Sequence, residues 1–132
     1  MRHLAGLVAA VVTAGVLSSC TSAEQDEAAG AADAYAAAID AKDGAAACAA
    51  LAPATVAELE QSAQKQCAQA VLDEATPPGA RTETQTYGSM SRVRFEGDVV
   101  FVGRYGDGWK VVAASCEPRP DDAPYDCGIE GR

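Results

Sequence analysis

Histidine is nearly absent from this chain, which has 132 residues and a single imidazole, that of His3. Aromatic residues make up only 5%, and 10 basic residues stand against 19 acidic ones, for a net charge of −9. A chain of this charge is not expected to bind nucleic acid or anionic lipid headgroups electrostatically. The sequence also lacks a phosphate loop, a dinucleotide fingerprint and a nucleophile elbow. We therefore expect no nucleotide cofactor and none of the enzyme chemistries that these motifs support.

The start of the sequence has the layout of an export signal. Arg2 and His3 form a short polar segment, and residues 4–17 are uncharged and mostly apolar. A run of this length is too short to cross a bilayer, which takes about 20 apolar residues, but it fits a cleavable signal. The run closes on a tetrapeptide that resembles the bacterial lipobox, Leu17-Ser18-Ser19-Cys20.

The lipobox resemblance implies that a diacylglycerol is attached to Cys20 and that residues 1–19 are then removed. Several acyl chains on one residue are enough for stable anchoring, which predicts a location at the outer face of the cytoplasmic membrane. The alternative is an ordinary secretory signal that happens to end on a cysteine. In either case His3 leaves with the signal, so we expect no imidazole-based catalytic or metal site in the mature chain.

The remaining cysteines predict a disulfide framework. Removing Cys20 from the five cysteines leaves an even number in a small exported domain. They allow three connectivities, and proximity along the chain favours Cys48–Cys67 with Cys116–Cys127. Bridges of this size stabilise by about 3 kcal/mol each in the chain-entropy model. Oxidised cysteines also make a thiolate nucleophile or a thiolate zinc site unexpected.

The first half of the mature chain is predicted to be helical. Residues 20–30 are polar and acidic, which predicts a tether ahead of a single domain over residues 31–132. Apolar residues that begin near the end of this tether recur at helical spacing and predict one stripe of an amphipathic helix, namely Ala28, Ala32, Tyr35 and Ile39.

Two further helices are expected before Pro78. Asp43 is placed to cap the first of them. Thr55 and Glu58 have the spacing of a capping box for the second, which is expected to reach Leu72 with a possible break near residues 64–66.

After Pro78 the apolar period changes to two, which predicts strands. Arginines alternate with apolar residues over 92–95, residues 99–105 form an apolar run, and a Gly-Asp-Gly turn leads into residues 109–114. Short strands joined by such turns form an antiparallel meander. The sequence therefore predicts an α+β fold, with the N-terminal helices packed on one face of a three- to four-stranded sheet.

Most of the mature chain, roughly residues 31–127, resembles small lipoproteins of high-GC Gram-positive, actinobacterial bacteria. The resemblance is carried by the paired helical cysteines Cys48 and Cys67, the strand GDGWKVV and the closing CEPRPDDAPYDCGIEG. It implies an α+β domain of the NTF2-like or cystatin-like kind. It brings no activity, cofactor or ligand residues with it.

Several carboxylates are candidates for acid–base or metal chemistry. Paired carboxylates can share acid and base roles, and the predicted helices carry two such pairs, Asp33 with Asp40 and Glu58 with Glu60. A solvated helix face is the interpretation that we favour for both. The acidic tail offers calcium-type oxygen ligands without the spacing of a calcium loop, in Asp121, Asp122, Asp126 and Glu130.

Two more groups on the predicted sheet are candidates for ligand binding. Arg92 and Arg94 share one strand face, where they either meet an anionic ligand or simply blunt the sheet surface. Aromatic residues at alternate strand positions line a pocket or, in the interpretation that we favour, fill the core: Phe95, Phe101, Tyr105 and Trp109.

The combined expectation is a lipid-anchored, non-enzymatic binding or accessory module of the cell envelope. Its partners would be the membrane, through the lipid on Cys20, and an envelope protein or a small apolar ligand. The alternative is an NTF2-like enzyme that uses carboxylates and tyrosines in a cavity. A deep pocket with a buried carboxylate would favour the enzyme, and a filled core with an exposed patch would favour the binding module.

Overall fold

The computed structural model describes residues 19–131, so the expected signal segment lies almost entirely outside the described part. The side chain of Cys20, the predicted lipid attachment site, also lies outside it. Four helices come first: α1 (Ser19–Asp40), α2 (Gly44–Ala50), α3 (Pro53–Ala63) and α4 (Cys67–Glu74). Five strands follow: β1 (Arg81–Tyr87), β2 (Met90–Phe95), β3 (Val99–Tyr105), β4 (Gly108–Glu117) and β5 (Asp126–Glu130).

The strands form one antiparallel meander in the order β1-β2-β3-β4-β5. The α+β class and the order of helices before strands are confirmed. The sheet has one strand more than the upper end of our prediction, because β5 was not recognised. The segment Asp126–Glu130 has only five residues and its alternation is carried by just Cys127 and Ile129. It pairs with β4 next to the disulfide between Cys116 and Cys127.

The helices pack on one face of the sheet and enclose the core. The predicted stripe of α1 is buried, and Tyr35 at its centre is fully inaccessible. The sheet contributes alternate residues from each strand to the same core, among them Val93, Val100, Val102, Val111 and Ile129. Trp109 belongs to this core as well, with 7% of its surface exposed. The interpretation of the aromatic residues as core therefore holds for Trp109 and Phe95 and is wrong for Phe101 and Tyr105, which do not belong to the core.

The predicted tether over residues 20–30 is helical instead. It forms the first half of α1, where Ala28 and Ala29 are buried. The carboxylate of Glu24 pairs with Arg104 on β3, and the side-chain amide of Gln25 donates to Thr84 O at 3.0 Å. Polar composition predicted a tether, but alanine-rich helix propensity and contacts with the sheet stabilise the helix.

The helix boundaries confirm one predicted cap and correct another. Asp43 caps α2, accepting the N–H of Ala46 at 3.0 Å. The capping box at Thr55 and Glu58 is wrong, because α3 already begins at Pro53. Proline suits the first turn of a helix, because N–H groups there have no acceptor within the helix and proline has no N–H to satisfy. Thr55 is buried inside α3, and its hydroxyl donates to the carbonyl of Val112 at 3.0 Å.

A register shift in the sheet changes which residues of β4 face the helices. Phe101 pairs with Ala113 but Val102 pairs with Val111, so Val112 is an extra residue in β4. Such a bulge reverses the alternation of side chains beyond it. Strict alternation over residues 109–114 would place Ala113 on the core face with Trp109, whereas Ala114 is the residue that belongs to the core.

Both disulfides join neighbouring elements, with the connectivity that proximity along the chain favoured. Cys48–Cys67 links α2 to α4, and Cys116–Cys127 links β4 to β5. The first bridge lies beside a very close helix approach, because a Cβ on Gly44 would be 2.0 Å from Ala68 O. Among the helices of residues 19–131, none has the length and apolar character needed to cross a bilayer.

Candidate functional site: the open face of the sheet

The helices cover one face of the sheet, and the other, which we call the open face, carries the alternate residues. Side chains of directly paired residues in an antiparallel sheet lie on the same face. Gln85 pairs with Arg92, Arg92 with Phe101, and Phe101 with Ala113. The two predicted candidate arginines, Arg92 and Arg94, therefore lie on the open face beside an aromatic ring.

A loop between β4 and β5, residues 118–125, folds over part of the open face. Tyr125 packs edge-on against Phe101, with ring centroids 5.2 Å apart and planes at 73°. The backbone turns sharply at Asp121 and Asp122, with φ angles of 61° and 54°, a left-handed conformation that aspartate tolerates better than most residues. The disulfide between Cys116 and Cys127 holds the strands on either side of the loop together.

The loop and the sheet enclose a cleft of about 340 Å³. Its lining combines three arginines and one aspartate with less polar residues: Arg92, Arg94, Pro118, Arg119, Asp122, Ala123 and Tyr125. Three arginines in one cleft are notable in a chain with a net charge of −9. The cleft is therefore a local positive site on an acidic molecule.

The arginines of the cleft differ in how far they are already paired. Arg94 pairs with Glu83 at 3.2 Å and also reaches Tyr125 Oη at 3.4 Å. Arg92 donates to the neutral amide oxygen of Gln85, and its Nε is buried without an acceptor in the described structure. Among the described residues, no carboxylate lies within ion-pairing distance of Arg92 or Arg119.

The other end of the open face is apolar. Tyr87, Met90 and Tyr105 are the large hydrophobic side chains exposed in the described part, at 59%, 40% and 41%. Met90 and Tyr105 converge above Gly103, where a Cβ would lie 3.3 Å from Met90 Sδ and 3.5 Å from Tyr105 Cε2. Tyr87 Oη donates to Gln85, the amide that also receives Arg92. The apolar patch thus adjoins the arginines directly.

A buried carboxylate lies elsewhere, at Asp98 before β3. Its Oδ1 accepts the N–H groups of Val99 at 2.6 Å and Cys116 at 3.1 Å, and its Oδ2 accepts that of Ser115 at 3.1 Å. Burial raises the pKa of Asp98, and these hydrogen bonds oppose the rise. Burial, together with the charge of Asp98, also raises the pKa of Tyr35. These contacts give Asp98 a structural role in holding the irregular part of β4.

The predicted carboxylate pairs have separate structural roles. Asp33 pairs with Arg81 at 3.0 Å, while Asp40 is exposed at the end of α1. Glu60 accepts the N–H of Cys67 at 3.0 Å, in the first turn of α4. Glu58 lines a smaller cleft of about 140 Å³ between α3 and β5, together with Glu130 of the acidic tail.

The calcium hypothesis for the acidic tail finds no support in the geometry. Within the part of the chain that the structure describes, no three acidic, histidine or cysteine side chains are grouped closely enough to hold a metal ion. Asp122 lines the arginine cleft instead, and Asp126 lies in β5.

Two residues of the cleft were missed at the level of sequence. Arg119 and Tyr125 come from the proline-rich segment after Glu117, of which only the acidic residues were considered as ligands. Their position depends on the return of β5 alongside β4, and the cysteine spacing was the available indication of that return. Comparison of the chain with models of protein families, with curated proteins and with solved structures found no match.

Proposed function

We propose that this chain is a lipid-anchored extracytoplasmic lipoprotein whose domain is a non-enzymatic binding module of the cell envelope. In this proposal the lipid on Cys20 holds the domain at the outer face of the cytoplasmic membrane. The observation that supports a binding role is the cleft of the open face. The helices leave that face uncovered, and the disulfide-closed loop shapes a cleft there.

The position of α1 supports presentation close to the membrane. Cys20 lies about one helical turn before Glu24, which pairs with Arg104 on the sheet. A lipid on Cys20 would therefore be joined to the domain by a docked helix rather than by a flexible tether. This arrangement favours partners found at the membrane surface, such as an envelope protein or a small ligand with an apolar part.

The enzyme alternative is less well supported. It needs a carboxylate that faces a cavity, and the buried carboxylate of Asp98 has both oxygens engaged by backbone N–H groups. The carboxylate that lines the arginine cleft, Asp122, is exposed at a loop. We therefore favour binding over catalysis at the open face.

The anchor is tested by metabolic labelling with an alkyne fatty acid in a bacterium that processes lipoproteins. The parent chain is expected to take up the label and to partition into detergent. Cys20→Ala should lose both properties, whereas Ser19→Ala, the matched control, should retain them because the lipobox still has a small residue before the cysteine. Label that persists on Cys20→Ala would contradict the lipid anchor.

The binding surface is tested separately with a photo-crosslinking amino acid. Placed at Ala123, which lines the cleft, it is expected to yield a discrete adduct in the native membrane. Placed at Asp40, exposed at the end of α1, it serves as the control and should not. The same adducts from both positions, or none from Ala123, would rule against the open face as the binding surface.

A further inference from the structure

Two adjoining features of the open face have opposite chemical character. One is the arginine cleft, with Arg92, Arg94 and Arg119. The other is the exposed apolar patch of Tyr87, Met90 and Tyr105. Met90 and Arg92 are neighbours on the same face of β2, about 7 Å apart along the strand. A ligand that is longer than this distance can contact both features at once.

The arginine cleft has unused capacity for an anion. Arg92 and Arg119 lack carboxylate partners among residues 19–131, and Arg92 Nε is buried without an acceptor there. A buried donor that lacks a partner costs free energy, which an incoming acceptor recovers. A guanidinium group matches the spacing of the oxygen atoms in a carboxylate or a phosphate, and it frequently donates two parallel hydrogen bonds to them.

The negative charge of the rest of the protein strengthens the preference of an anion for the cleft. The lysines and arginines elsewhere in the described chain include four with acidic partners, namely Lys65, Arg81, Arg104 and Lys110. Because the protein is acidic overall, a free anion is repelled from most of its surface and attracted to the cleft. Asp122 of the loop and Glu83, the partner of Arg94, oppose this attraction, but three arginines outweigh these two carboxylates.

The apolar patch selects among anions. Exposed side chains of this size in one place mark a binding surface when they adjoin polar residues. Tyrosine and methionine suit such a surface, since a ring presents both an apolar body and a hydroxyl, and methionine adapts its shape. An anion without an apolar part would leave Met90 and Tyr105 in water.

We infer that the open face binds an amphipathic oxyanion, a phosphate or carboxylate held by the cleft arginines and joined to an apolar body that covers Tyr87, Met90 and Tyr105. This inference rests on the proposed binding role of the open face and adds the chemical class of the ligand. It turns the expected small apolar ligand into one with an anionic head. The head lies under the 118–125 loop, and the body extends towards the turn between β1 and β2.

The test is isothermal titration calorimetry on the processed lipoprotein, residues 20–132 with the lipid on Cys20, in phosphatidylcholine nanodiscs. Empty nanodiscs serve as the blank. Hexyl phosphate and hexanoate carry the two candidate heads on the same apolar chain. At least one is expected to bind saturably, and the tighter of the two identifies the oxyanion. Inorganic phosphate should bind at least about tenfold more weakly than hexyl phosphate, and hexanol should not bind.

Variants distinguish the two halves of the site. Arg92→Gln and Arg119→Gln should each weaken the tighter ligand by about tenfold or more, as expected for a charge-assisted hydrogen bond. Arg81→Gln removes the same charge from a residue paired with Asp33 of α1 and should leave binding unchanged. Met90→Ser should weaken hexyl phosphate and leave inorganic phosphate unaffected.

Three outcomes would overturn the inference: no saturable binding of either amphiphile, equal binding of hexanol, or equal losses for Arg81→Gln and Arg92→Gln. Its failure remains distinct from failure of the proposed function. If neither amphiphile binds but Ala123 still crosslinks a discrete partner, the binding module stands and the ligand class is wrong. If the alkyne fatty acid does not label the parent chain but hexyl phosphate still binds it, the anion site stands and the membrane anchor is wrong.

Discussion

Tyr125 meets Phe101 edge to face at 5.2 Å, and this contact fastens the loop between β4 and β5 to the open face of the sheet. Tyr125 belongs to the loop and Phe101 to the centre of the sheet, so the pair joins the two walls of the arginine cleft. The Tyr125 hydroxyl also receives Arg94 at 3.4 Å, a long and therefore weak hydrogen bond. The shape of the cleft thus depends chiefly on the ring contact.

Tyr125→Ala is expected to release the loop. Aromatic pairs contribute about 0.5–1.5 kcal/mol beyond their buried area, so unfolding by urea should show a loss of about 1–2 kcal/mol. Limited proteolysis within residues 118–125 should become faster, because the loop loses its ring contact with the sheet. The disulfide still closes the base of the loop. Tyr125→Phe keeps the ring and should resemble the parent. Unchanged proteolysis in Tyr125→Ala would contradict this role.

Two glycines in helices should respond in opposite directions to alanine. In Gly44→Ala the new Cβ would meet Ala68 O at 2.0 Å, and the Cys48–Cys67 disulfide restrains α2 from moving away. Overpacking of this kind destabilises by about 1–3 kcal/mol. In Gly30→Ala, within α1, nothing lies within 4 Å, so better helix propensity should stabilise by about 0.5–1 kcal/mol. Thermal unfolding of both variants checks the signs, and a stabilised Gly44→Ala would refute the close approach.

Asp98→Asn is expected to destabilise the domain by about 1–3 kcal/mol. An amide has one acceptor oxygen in place of two, so at least one of the N–H groups of Val99, Ser115 and Cys116 would face another donor. Asp40→Asn, at an exposed position, is the control and should have little effect. Equal stabilities of the parent and Asp98→Asn would show that the carboxylate does not hold β4.

The same residue predicts a pH dependence. Because burial raises the pKa of Asp98, the folded protein binds more protons there than the unfolded chain does. The stability contributed by its titration is fully present below the unfolded pKa of about 3.9 and is lost as pH rises through the folded value. The free energy of unfolding of the parent, relative to Asp98→Asn, should therefore fall as pH rises above about 4. A relative stability that rises with pH would contradict the raised pKa.

Trp109→Ala should destabilise by about 3–5 kcal/mol, since the ring belongs to the core between sheet and helices. Trp109→Phe keeps an aromatic ring and should cost less. The indole faces away from the arginine cleft, with Arg104 stacked 5.8 Å from its centroid. The fluorescence of Trp109 should be blue-shifted and insensitive to hexyl phosphate. Saturable quenching by that ligand would place the binding site in the core instead of on the open face.

Local sequence patterns were enough to determine the class of fold and much of its detail. The spacing of four, three and four residues in the α1 stripe predicts that Tyr35 is buried, because a helix returns to the same face at that interval. Asp43 identifies the start of α2, because its side chain bonds within one turn. Alternation in β2 separates the buried Val93 from Arg92, since a strand has a period of two. Each of these depends only on residues a few positions apart.

The tertiary structure alone decided the features that depend on distant residues. The bulge at Val112 places Ala114 in the core in place of Ala113. Thr55 of α3 supports the bulge through a hydrogen bond to the Val112 carbonyl. The acidic segment predicted to be a tether is helical because Glu24 and Gln25 bond to residues of the sheet.

The cleft is also a product of long-range contacts. Arg119 lines the same cleft as Arg92 because β5 returns beside β4 and Tyr125 packs edge-on against Phe101. No periodicity within the segment 118–125 encodes that position, because its conformation is set by a disulfide at its base and a ring contact with another strand. The sequence by itself thus determined that arginines lie on an open sheet face, and only the packing of the loop made them walls of one cleft.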